Sequence, residues 1–489
     1  MTQNRKETDL ARLFEPRSVA HVGASAKPAA GRFPFAEYLV NMGFAGKVFP
    51  VNPKYEEVSE LTCYPSLAAI PGPVDLAILA VPAPRCVEVL RETPAGKVGF
   101  VVIHTSGFGE INKVNLEEEI LALSRAKGFR VIGPNCMGIY SQPGRIGFWQ
   151  DHWEIIDRPG TVGFASQSGG HAINTIKGGM SSGVFFNKVV SLGNQLDISI
   201  NEIVEFMGND ESVQVIGLYV EGIRDGRRFL ELAKEITPRK PIVVWKGGTT
   251  EDGKKAVLSH TGAMAGNEEV FAAAMRQAGV LVVDNMHLMV RILRLLQPPF
   301  SLPGGRLAIF SPGGGNTVNV SDLFSAQPTL TLPRLRPETM EKLESLLPEE
   351  NVDVKNPVDP GATGFLVMDK LIKAVGEEDR IDAMVILLTA DYLSNIKKEE
   401  DRLLALQAIS STISKLTRSI GKPIYILMRK ERQNHEDIDR YYRMMVTKFI
   451  EKDIPWVDGS FKNAAEVFGQ LAEYAQHVAR WKRAVARTP

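Results

Sequence analysis

The feature that most constrains this chain is a repeated pattern of short apolar runs, rich in Val and Ile, that end in turn residues and are followed by longer amphipathic stretches. Short, continuous apolar runs are typical of strands that are buried on both faces of a parallel sheet. Parallel strands need helical crossovers between them. The pattern therefore predicts the α/β fold class, with doubly wound parallel sheets covered by helices.

The runs fall into three series along the chain. The first contains SVAHVGAS, KVFPVNP, VDLAILAVP, VGFVVIHTSG and RVIGPNC, with helical segments such as CVEVLRETPAG and LEEEILALSRAKG between the strands. The second contains TVGFASQSGG, FNKVVSLGN, VQVIGLYVEG, PIVVWKGG and VLVVDN, and the third contains RLAIFSPGGGN, DAMVILLTAD, KPIYILMRK and IPWVDGS. Because a typical domain has about 100 to 200 residues, we predict domains at residues 1–150, 151–300 and 301–489.

Charge and cysteine content exclude several classes of protein. The 57 Lys and Arg residues are matched by 57 Asp and Glu residues, so no overall field attracts nucleic acid or an anionic membrane. No run of about 18 apolar residues occurs, and the N-terminus has no apolar signal-peptide core. The three cysteines, Cys63, Cys86 and Cys136, are too few for a disulfide framework. We therefore predict a cytoplasmic protein with a small-molecule substrate, and neither a nucleic-acid nor a membrane partner.

One glycine turn in the first series is a candidate for phosphate binding. VGASAKPAAGR, at 22–32, places a glycine and a serine between a strand and a helix, where backbone N–H groups attract anions. The spacing is not G-x-G-x-x-G, and the second strand ends in Asn52, Pro53 and Lys54 instead of a carboxylate. A lysine there favours an extra phosphate, such as that on the adenosine ribose of coenzyme A. The alternative is a glycine turn that serves packing alone.

The turns AVPAP and GPNCMG lie on the same predicted edge of the sheet, where prolines fix the loops. Cys136 has no neighbouring base in the sequence, so we interpret it as a small buried residue that lines the pocket and not as a nucleophile. In the second series, ASQSGG at 165–170 offers serine hydroxyls and free N–H groups to an inorganic phosphate or a phosphorylated intermediate. Because G-x-S-x-G is not satisfied, a serine hydrolase is improbable.

One histidine stands among small residues in AVLSHTGAMAG, at 256–266, which we expect to form a loop. A lone histidine such as His260 is ordinarily structural. Glu221, at the end of the strand VQVIGLYV, can accept a hydrogen bond from a histidine Nδ1–H and leave Nε2 free as a nucleophile. Taken alone, Glu221 is equally well read as a solvated loop carboxylate, and the residues themselves leave both interpretations open.

Taken together, VGASAKP, GPNCMG, SQSGG, GNQLD, YVEG and LSHTGAMAG resemble the CoA-binding or α chain of the nucleoside-diphosphate-forming acyl-CoA synthetases. This family includes succinyl-CoA synthetase and the ADP-forming acetyl-CoA synthetases. The third segment, with SPGGGN and KNPVDPGATG, resembles only the longer α chains of the ADP-forming enzymes. The resemblance implies an N-terminal Rossmann-like CoA-binding domain followed by two flavodoxin-like domains, the first of which carries a phosphohistidine.

The resemblance also assigns roles to individual residues. His260 matches the histidine that is phosphorylated, and Glu221 matches the glutamate that orients it. The residues implied to cradle the phosphoryl group are Ser166, Gln167, Ser168, Gly169 and Gly170. The residues implied to bind CoA are Gly23, Ala24, Ser25, Lys27, Pro28, Lys54, Val81, Pro82, Asn135 and Cys136. Small neighbours would give the phosphorylated ring room to move.

The implied reaction converts a carboxylic acid, CoA and ATP into acyl-CoA, ADP and phosphate, reversibly, through a phosphohistidine and an acyl phosphate. The family uses an ATP-grasp module to bind ATP or ADP with Mg²⁺, and no stretch after residue 300 looks like one. We therefore expect the nucleotide and Mg²⁺ on a separate β subunit, in a heteromer such as α2β2, and no metal site in this chain.

Two other functions compete with this one. A non-catalytic CoA or acyl-CoA scaffold would keep the fold but has no need of the serines, Glu221 and His260. A nicotinamide-dependent dehydrogenase is disfavoured by the first glycine turn. Two structural points also stay open: SPGGGN is either an anion nest or a structural turn, and Phe148, Trp149 and Trp153 either wall the acyl pocket or belong to the core.

Overall fold

The structure is a computed structural model that describes residues 10–27, 33–148, 159–261, 267–347, 353–361, 364–432 and 434–486. The chain divides into two compact units, residues 1–289 and residues 290–489. The first unit contains two large sheets and the second contains one. In the described part of the chain, no helix combines the length and the apolar character that a membrane crossing requires.

The first sheet is parallel throughout. The strands in this region are β1 (Ser18–Val22), β2 (Lys47–Val51), β3 (Glu57–Val58), β4 (Leu61–Thr62), β5 (Val74–Leu79), β6 (Val98–Ile103), β7 (Arg130–Ile132) and β8 (Gly138–Ser141). The helices are α1 (Ala11–Phe14), α2 (Phe35–Asn41), α3 (Ala83–Glu92) and α4 (Val114–Lys127).

The strand order is β2, β1, β5, β6, β7, while β3 and β4 form a small antiparallel pair. The chain leaves β1 toward β2 on one side and returns to β5 on the other, which creates a switch point between β1 and β5.

The second sheet repeats this arrangement. Its further strands are β9 (Val162–Ser166), β10 (Phe186–Ser191), β11 (Val215–Val220), β12 (Ile242–Lys246) and β13 (Leu281–Val283). Its helices are α5 (Gly169–Ser181), α6 (Ile200–Asn209), α7 (Gly226–Ile236), α8 (Glu251–Thr261), α9 (Glu268–Gln277) and α10 (Met286–Leu296). The order is β13, β12, β11, β9, β10, β8, and only β8 is antiparallel to its neighbour. The switch point lies between β9 and β11.

The second unit has one parallel sheet with strands in the order of the sequence. They are β14 (Leu307–Phe310), β15 (Ala383–Thr389), β16 (Ile424–Arg429) and β17 (Trp456–Asp458). The helices are α11 (Gly314–Ser325), α12 (Pro337–Leu346), α13 (Met368–Gly376), α14 (Asp391–Ser394), α15 (Glu399–Ile420), α16 (Glu436–Glu451) and α17 (Phe461–Val485). On the free side of β14, pairing is reduced to isolated bridges, of Arg306 with Thr331 and of Phe310 with Val358.

The α/β fold class with parallel sheets is confirmed, and every run predicted to be a strand forms one. The pattern is readable because these strands are buried on both faces, as in β5, β9 and β15. The edge strand β8 was not predicted, because a run of only four residues gains its structure from pairing with β10. The division into three domains at residues 150 and 300 stays a prediction.

Candidate functional site

The two switch points of the first unit open into one cavity of about 630 Å³. The first sheet contributes Gly23, Ala80, Val81, Pro82, Asn135 and Cys136 to its lining, and the second contributes Gln167, Ser168, Gly169 and Gly170. Residues predicted to bind CoA and residues predicted to bind a phosphoryl group therefore share a cavity. Ligands of parallel sheets bind at switch points, where loops from neighbouring strands diverge.

Two glycines permit the close approach of the backbone around this cavity. Gly23, which follows β1, has a φ of +96°, and a Cβ atom there would lie 2.6 Å from the carbonyl oxygen of Ala80. Gly193, which follows β10, has a φ of +53°, and its Cβ would lie 2.1 Å from the carbonyl oxygen of Pro134. A side chain at either position would be strained and would separate the turns.

Polar side chains bind the loops of the two sheets to each other. The Asn194 side-chain amide donates to Glu110 Oε2 at 2.6 Å and to Glu117 Oε1 at 2.8 Å. Arg130 on β7 donates to Asp197 Oδ2 at 2.8 Å and to Glu202 Oε1 at 2.7 Å. Charge-assisted bonds of this kind are short and directional. They fix the positions of the turns that line the cavity.

The turn at residues 166–170 brings serine hydroxyls and backbone N–H groups to the start of α5. Ser166 is buried, and its hydroxyl donates to the Ser168 carbonyl oxygen at 2.7 Å and accepts from Ser168 N–H at 3.1 Å. Ser168 Oγ caps α5 by accepting from His171 N–H at 3.3 Å. Among the described residues, the N–H groups of Gly169 and Gly170 have no hydrogen-bond partner. These N–H groups and the positive end of α5 attract negative charge. Ser166 shapes the turn but does not line the cavity.

Gln167 connects this turn to the end of β11. Its Oε1 accepts from the N–H groups of Glu221 and Gly222, and its Nε2 donates to the Gly222 carbonyl oxygen at 2.6 Å. The Glu221 side chain is buried, and its Oε1 accepts from the Tyr219 hydroxyl at 3.3 Å. Lys246 donates to the Glu221 carbonyl oxygen at 2.8 Å, and burial lowers the pKa of Lys246. Glu221 is therefore not the solvated loop carboxylate that its sequence position also allowed.

The predicted catalytic histidine lies on a helix. Residues 251–261 form α8, so His260 belongs to the last helical turn, where a loop of small residues was expected. The apolar Ala256, Val257 and Leu258 before it are compatible with a helix. Helix α8 contacts the short 3-10 helix Gly109–Ile111, whose Glu110 binds Asn194. The His260 side chain and residues 262–266 lie outside what the structure describes, so the role of His260 stays a prediction.

The predicted CoA residues divide into those that line a cavity and those that support one. Lys54 lies at a second cavity of about 290 Å³, which also includes Gly23, Val81 and Pro82 and so adjoins the first. Arg85 on α3 lines this second cavity and was not predicted, because nothing in its sequence context separates it from a solvated helix charge.

The remaining CoA predictions fall on the turn after β1. Ala24 is buried against Val58 and Cys63 and supports the turn from behind. Lys27 is exposed, and its N–H donates to Ser25 Oγ at 3.2 Å. Pro28 lies outside the described residues. Neither Ser25 nor Lys27 lines either cavity.

Cys136 lines the large cavity but is not suited to nucleophilic attack. Its Sγ donates to the Ile103 carbonyl oxygen at 3.3 Å, and burial raises the pKa of the thiol to about 12. A thiol in that state carries almost no thiolate at neutral pH. Of the aromatic residues considered for the acyl pocket, Phe148 is buried, while Trp149 and Trp153 lie outside the described residues.

Two histidines in the cavity wall were missed from the sequence. His21 is the fourth of the five residues of β1, and His104 follows β6 directly. The only available signal was an imidazole in the otherwise apolar runs SVAHV and VVIH. Within the described residues, no group of three or more His, Cys, Asp or Glu side chains is arranged to hold a metal ion.

Comparison with known proteins places these features in context. A CoA binding domain family model matches residues 17–142, and a succinyl-CoA ligase like flavodoxin domain model matches residues 159–296. The α subunit of ADP-forming acetate–CoA ligase II from Pyrococcus furiosus is 37% identical over 350 residues, which cover 71% of this chain and 75% of the relative. ADP-forming acetate–CoA ligase II from Archaeoglobus fulgidus is 33% identical over 484 residues, which cover 96% of this chain and 67% of the relative.

A solved structure extends the similarity to the whole fold. It is a dinucleotide-forming acetyl-coenzyme A synthetase 1 from Ca. Korarchaeum cryptofilum, in complex with phosphate and ADP. It superposes with a TM-score of 0.83 at 27% sequence identity and covers 98% of this chain and 99% of the solved one. The similarity therefore includes the second unit, whereas the two family models end at residues 142 and 296.

Proposed function

The chain belongs to the family of ADP-forming acetate–CoA ligases, and from that premise we propose that it is the CoA-binding α subunit of an ADP-forming acyl-CoA synthetase. The reaction joins a carboxylic acid to CoA at the expense of ATP, with release of ADP and phosphate, and it is reversible. The observation that carries the proposal is the single cavity that joins the open anion turn at residues 166–170 to the CoA-side turns of the first sheet.

We assign CoA to the two adjoining cavities. Lys54 and Arg85 supply positive charge at the smaller cavity, which Glu92 also lines. Arg85 pairs with Glu88 at 2.7 Å and with Glu92 at 3.7 Å. The shared residues Val81 and Pro82 then direct the thiol arm into the larger cavity, toward Asn135 and Cys136. The neutral Cys136 thiol leaves nucleophilic attack to the CoA thiol itself.

The phosphoryl group is assigned to the turn that ends in Gly169 and Gly170. In the direction of acid release, phosphate displaces CoA from the thioester and forms an acyl phosphate. His260 then attacks phosphorus, so that an N–P bond forms, the P–O bond breaks and the carboxylate leaves. The free N–H groups at α5 stabilise the phosphoryl oxygens during this transfer, and Glu221 orients the imidazole.

This function predicts that the protein is labelled by [³²P]phosphate in the presence of an acyl-CoA, without ATP. The label should be acid-labile and base-stable, and His260→Gln should abolish it. His287→Gln changes an exposed histidine on α10 and serves as the matched control, which should be labelled like wild type. Equal labelling of the His260 variant would refute the mechanism. CoA binding without any label would favour a non-catalytic scaffold.

The ATP/ADP site and its Mg²⁺ are assigned to a separate ATP-grasp β subunit in a heteromer. Two kinds of relative are relevant to where the nucleotide binds. One is the α subunit from Pyrococcus furiosus. The other is a single chain from Archaeoglobus fulgidus, and the alignment with this chain covers 67% of its length. With [γ-³²P]ATP and Mg²⁺, label should enter His260 only after an ATP-grasp chain is added. Labelling of this protein alone by ATP would overturn the assignment. We also propose a cytoplasmic location, with which the free thiols of Cys63, Cys86 and Cys136 are compatible.

A further inference from the structure

Four aromatic rings, which we call the ring wall, stand at one side of the large cavity: His21, Phe33, Phe35 and His104. Phe33 and His104 have ring centroids 4.6 Å apart at an interplanar angle of 73°. Phe35 packs edge-to-face on His104 at 5.2 Å and on His21 at 5.4 Å. Because His21, Phe33 and His104 line the cavity, the ring wall contributes phenyl and imidazole side chains to its surface.

His21 is placed there by the alternation of β1. Its neighbours Ala20 and Val22 belong to the apolar core beneath α3, so the His21 side chain points to the opposite face of the sheet, toward Phe35 of α2. The side chain is only 3% exposed, and neither ring nitrogen has a hydrogen-bond partner among the described residues. A buried polar group without a partner destabilises a fold, so a ligand that hydrogen-bonds to the His21 ring would be stabilised by it.

His104 offers a hydrogen-bond acceptor of fixed orientation. Its Nδ1 lies 2.8 Å from the Cys136 carbonyl oxygen, and because a carbonyl only accepts, Nδ1 is the donor. Burial lowers the pKa of His104, so the ring is neutral at physiological pH and Nε2 carries the lone pair. The ring wall therefore has one imidazole held by the backbone and a second, His21, with both nitrogens unused.

The side chains that the structure describes around the cavity are uncharged. Of the residues lining it that the structure describes, none is Lys, Arg, Asp or Glu, and the polar members are hydroxyls, amides and the two imidazoles. A ligand with a second carboxylate would have to bury that charge without a cation, which is strongly unfavourable. A neutral ring with a hydroxyl substituent would instead stack edge-to-face and use the imidazole nitrogens.

On the basis of the proposed function, we infer that the ring wall is the acyl-group subsite and that it selects a monocarboxylic acid whose acyl group is an uncharged aromatic ring bearing a hydroxyl. The ring wall shares its cavity with Asn135 and Cys136, assigned to the thiol end of CoA, and with the phosphoryl turn. The acyl carbon must lie close to both the CoA thiol and the phosphoryl group. We place the rest of the acyl chain beside the ring wall, in the same cavity. His21 is the specificity-determining residue that binds the hydroxyl.

Calorimetry with four thioesters tests this inference on the intact protein: 4-hydroxycinnamoyl-CoA, cinnamoyl-CoA, acetyl-CoA and succinyl-CoA. We expect the hydroxylated thioester to bind about three- to tenfold more tightly than cinnamoyl-CoA, the range for one neutral hydrogen bond. Acetyl-CoA should bind more weakly than both, and succinyl-CoA most weakly. Equal affinities for the hydroxylated and unsubstituted thioesters, or tighter binding of succinyl-CoA, would overturn the inference.

The variant His21→Leu separates recognition from packing. It should bring the affinity ratio of the two cinnamoyl thioesters to about one and leave affinity for free CoA and the melting temperature no lower than in wild type. Val19→Ala is the control, because Val19 is buried on the same face of β1 and does not line the cavity. It should lower the melting temperature and keep the ratio. A destabilised His21→Leu protein with an unchanged ratio would show a structural role and overturn the inference.

Should His21→Leu not fold, His104→Phe keeps a ring in the wall and removes its acceptor, and it should also reduce the ratio. The labelling of His260 distinguishes failure of this inference from failure of the proposed function. If acetyl-CoA and phosphate label His260 while the hydroxyl has no effect on binding, the acyl subsite is wrong and the synthetase activity stands. If no thioester supports labelling, the proposed function falls.

Discussion

Two glycine-rich turns in this chain have the same local design and opposite electrostatics. Residues 166–170 and residues 311–316 each connect a buried parallel strand to a helix that begins at a glycine. In the first turn the hydrogen-bond acceptors are the neutral Ser166 and Ser168 hydroxyls. In the second, the buried Asp359 carboxylate accepts from Gly313 N–H and from Gly361 N–H, both at 3.0 Å.

The difference shows that a strand–glycine–helix sequence does not by itself define an anion site. The positive end of a helix is available to a ligand only where the protein has not already supplied the negative charge. The bridge between Phe310 and Val358 brings Asp359 to the turn at residues 311–316. This favours the structural interpretation of SPGGGN over an anion nest, and it leaves the turn at residues 166–170 as the open site.

The strongest test of this comparison is to place a carboxylate in the open turn at residues 166–170. Ser168→Asp should retain the cap of α5, because aspartate is as good a capping residue as serine. Like charges about 4 Å apart repel by about 4 kcal/mol near a protein surface, which corresponds to about a thousandfold. We expect the rate of His260 labelling by acyl-CoA and phosphate to fall by about a hundred- to a thousandfold.

Ser168→Asn is the matched control for that experiment, because asparagine caps the helix without adding charge. Its labelling rate should stay within about tenfold of wild type, with an unchanged melting temperature in both variants. If the aspartate variant is labelled as fast as the asparagine variant, the phosphoryl group does not approach the start of α5 and the assignment of the turn fails.

The occupied turn provides the second test, of stability instead of activity. Asp359→Ala removes the acceptor of two backbone N–H groups, and an unpaired buried amide costs about 1 to 3 kcal/mol. We expect the free energy of unfolding of the second unit to fall by about 2 kcal/mol, measured by hydrogen exchange of peptides that cover β14. Asp359→Asn keeps a neutral acceptor of the same shape and should lose less than half as much. Equal losses in the two variants would mean that charge, not hydrogen bonding, makes the carboxylate necessary.

How far the sequence predicts this molecule depends on how local each signal is. The doubly buried strands are readable because each carries its Val and Ile residues within a few positions. Asp359 is not readable as a partner of Gly313, because 46 residues separate them and the pairing depends on the fold. Gln167 was predicted to bind phosphate, which stays a prediction, and the sequence did not show that its amide connects the turn to β11 by a contact across 54 residues to Glu221. His21 and His104 were missed for the same reason: single imidazoles in apolar runs acquire meaning only when Phe35 is packed between them.

The smallest effect is the dependence of stability on pH, in which the buried His21 of the first unit differs from the buried Asp458 of the second. Burial, with a smaller contribution from the nearby His104, lowers the pKa of His21 to about 3. In the unfolded chain a histidine titrates near pH 6.5, so between these values the unfolded state binds more protons and the folded state loses stability as the pH falls. In the second unit, burial raises the pKa of Asp458, but Arg294 and Arg291 outweigh it and the net shift is downward. A carboxylate of that kind loses its contribution only below about pH 4, the unfolded value.

Burial also lowers the pKa of His104 in the first unit and of His477 in the second, so the contribution of His21 between about pH 6 and pH 4.5 is isolated by comparing wild type with His21→Leu. We expect wild type to lose up to about 1.4 kcal/mol of stability per pH unit relative to His21→Leu in this window. Hydrogen exchange of β1 peptides should report the difference, while peptides of β16 in the second unit should exchange alike in both proteins. If the exchange of the β1 peptides depends on pH in the same way in wild type and in His21→Leu, the His21 ring is already protonated or hydrogen-bonded in the folded state. The ring wall would then have no unused hydrogen-bonding group at His21.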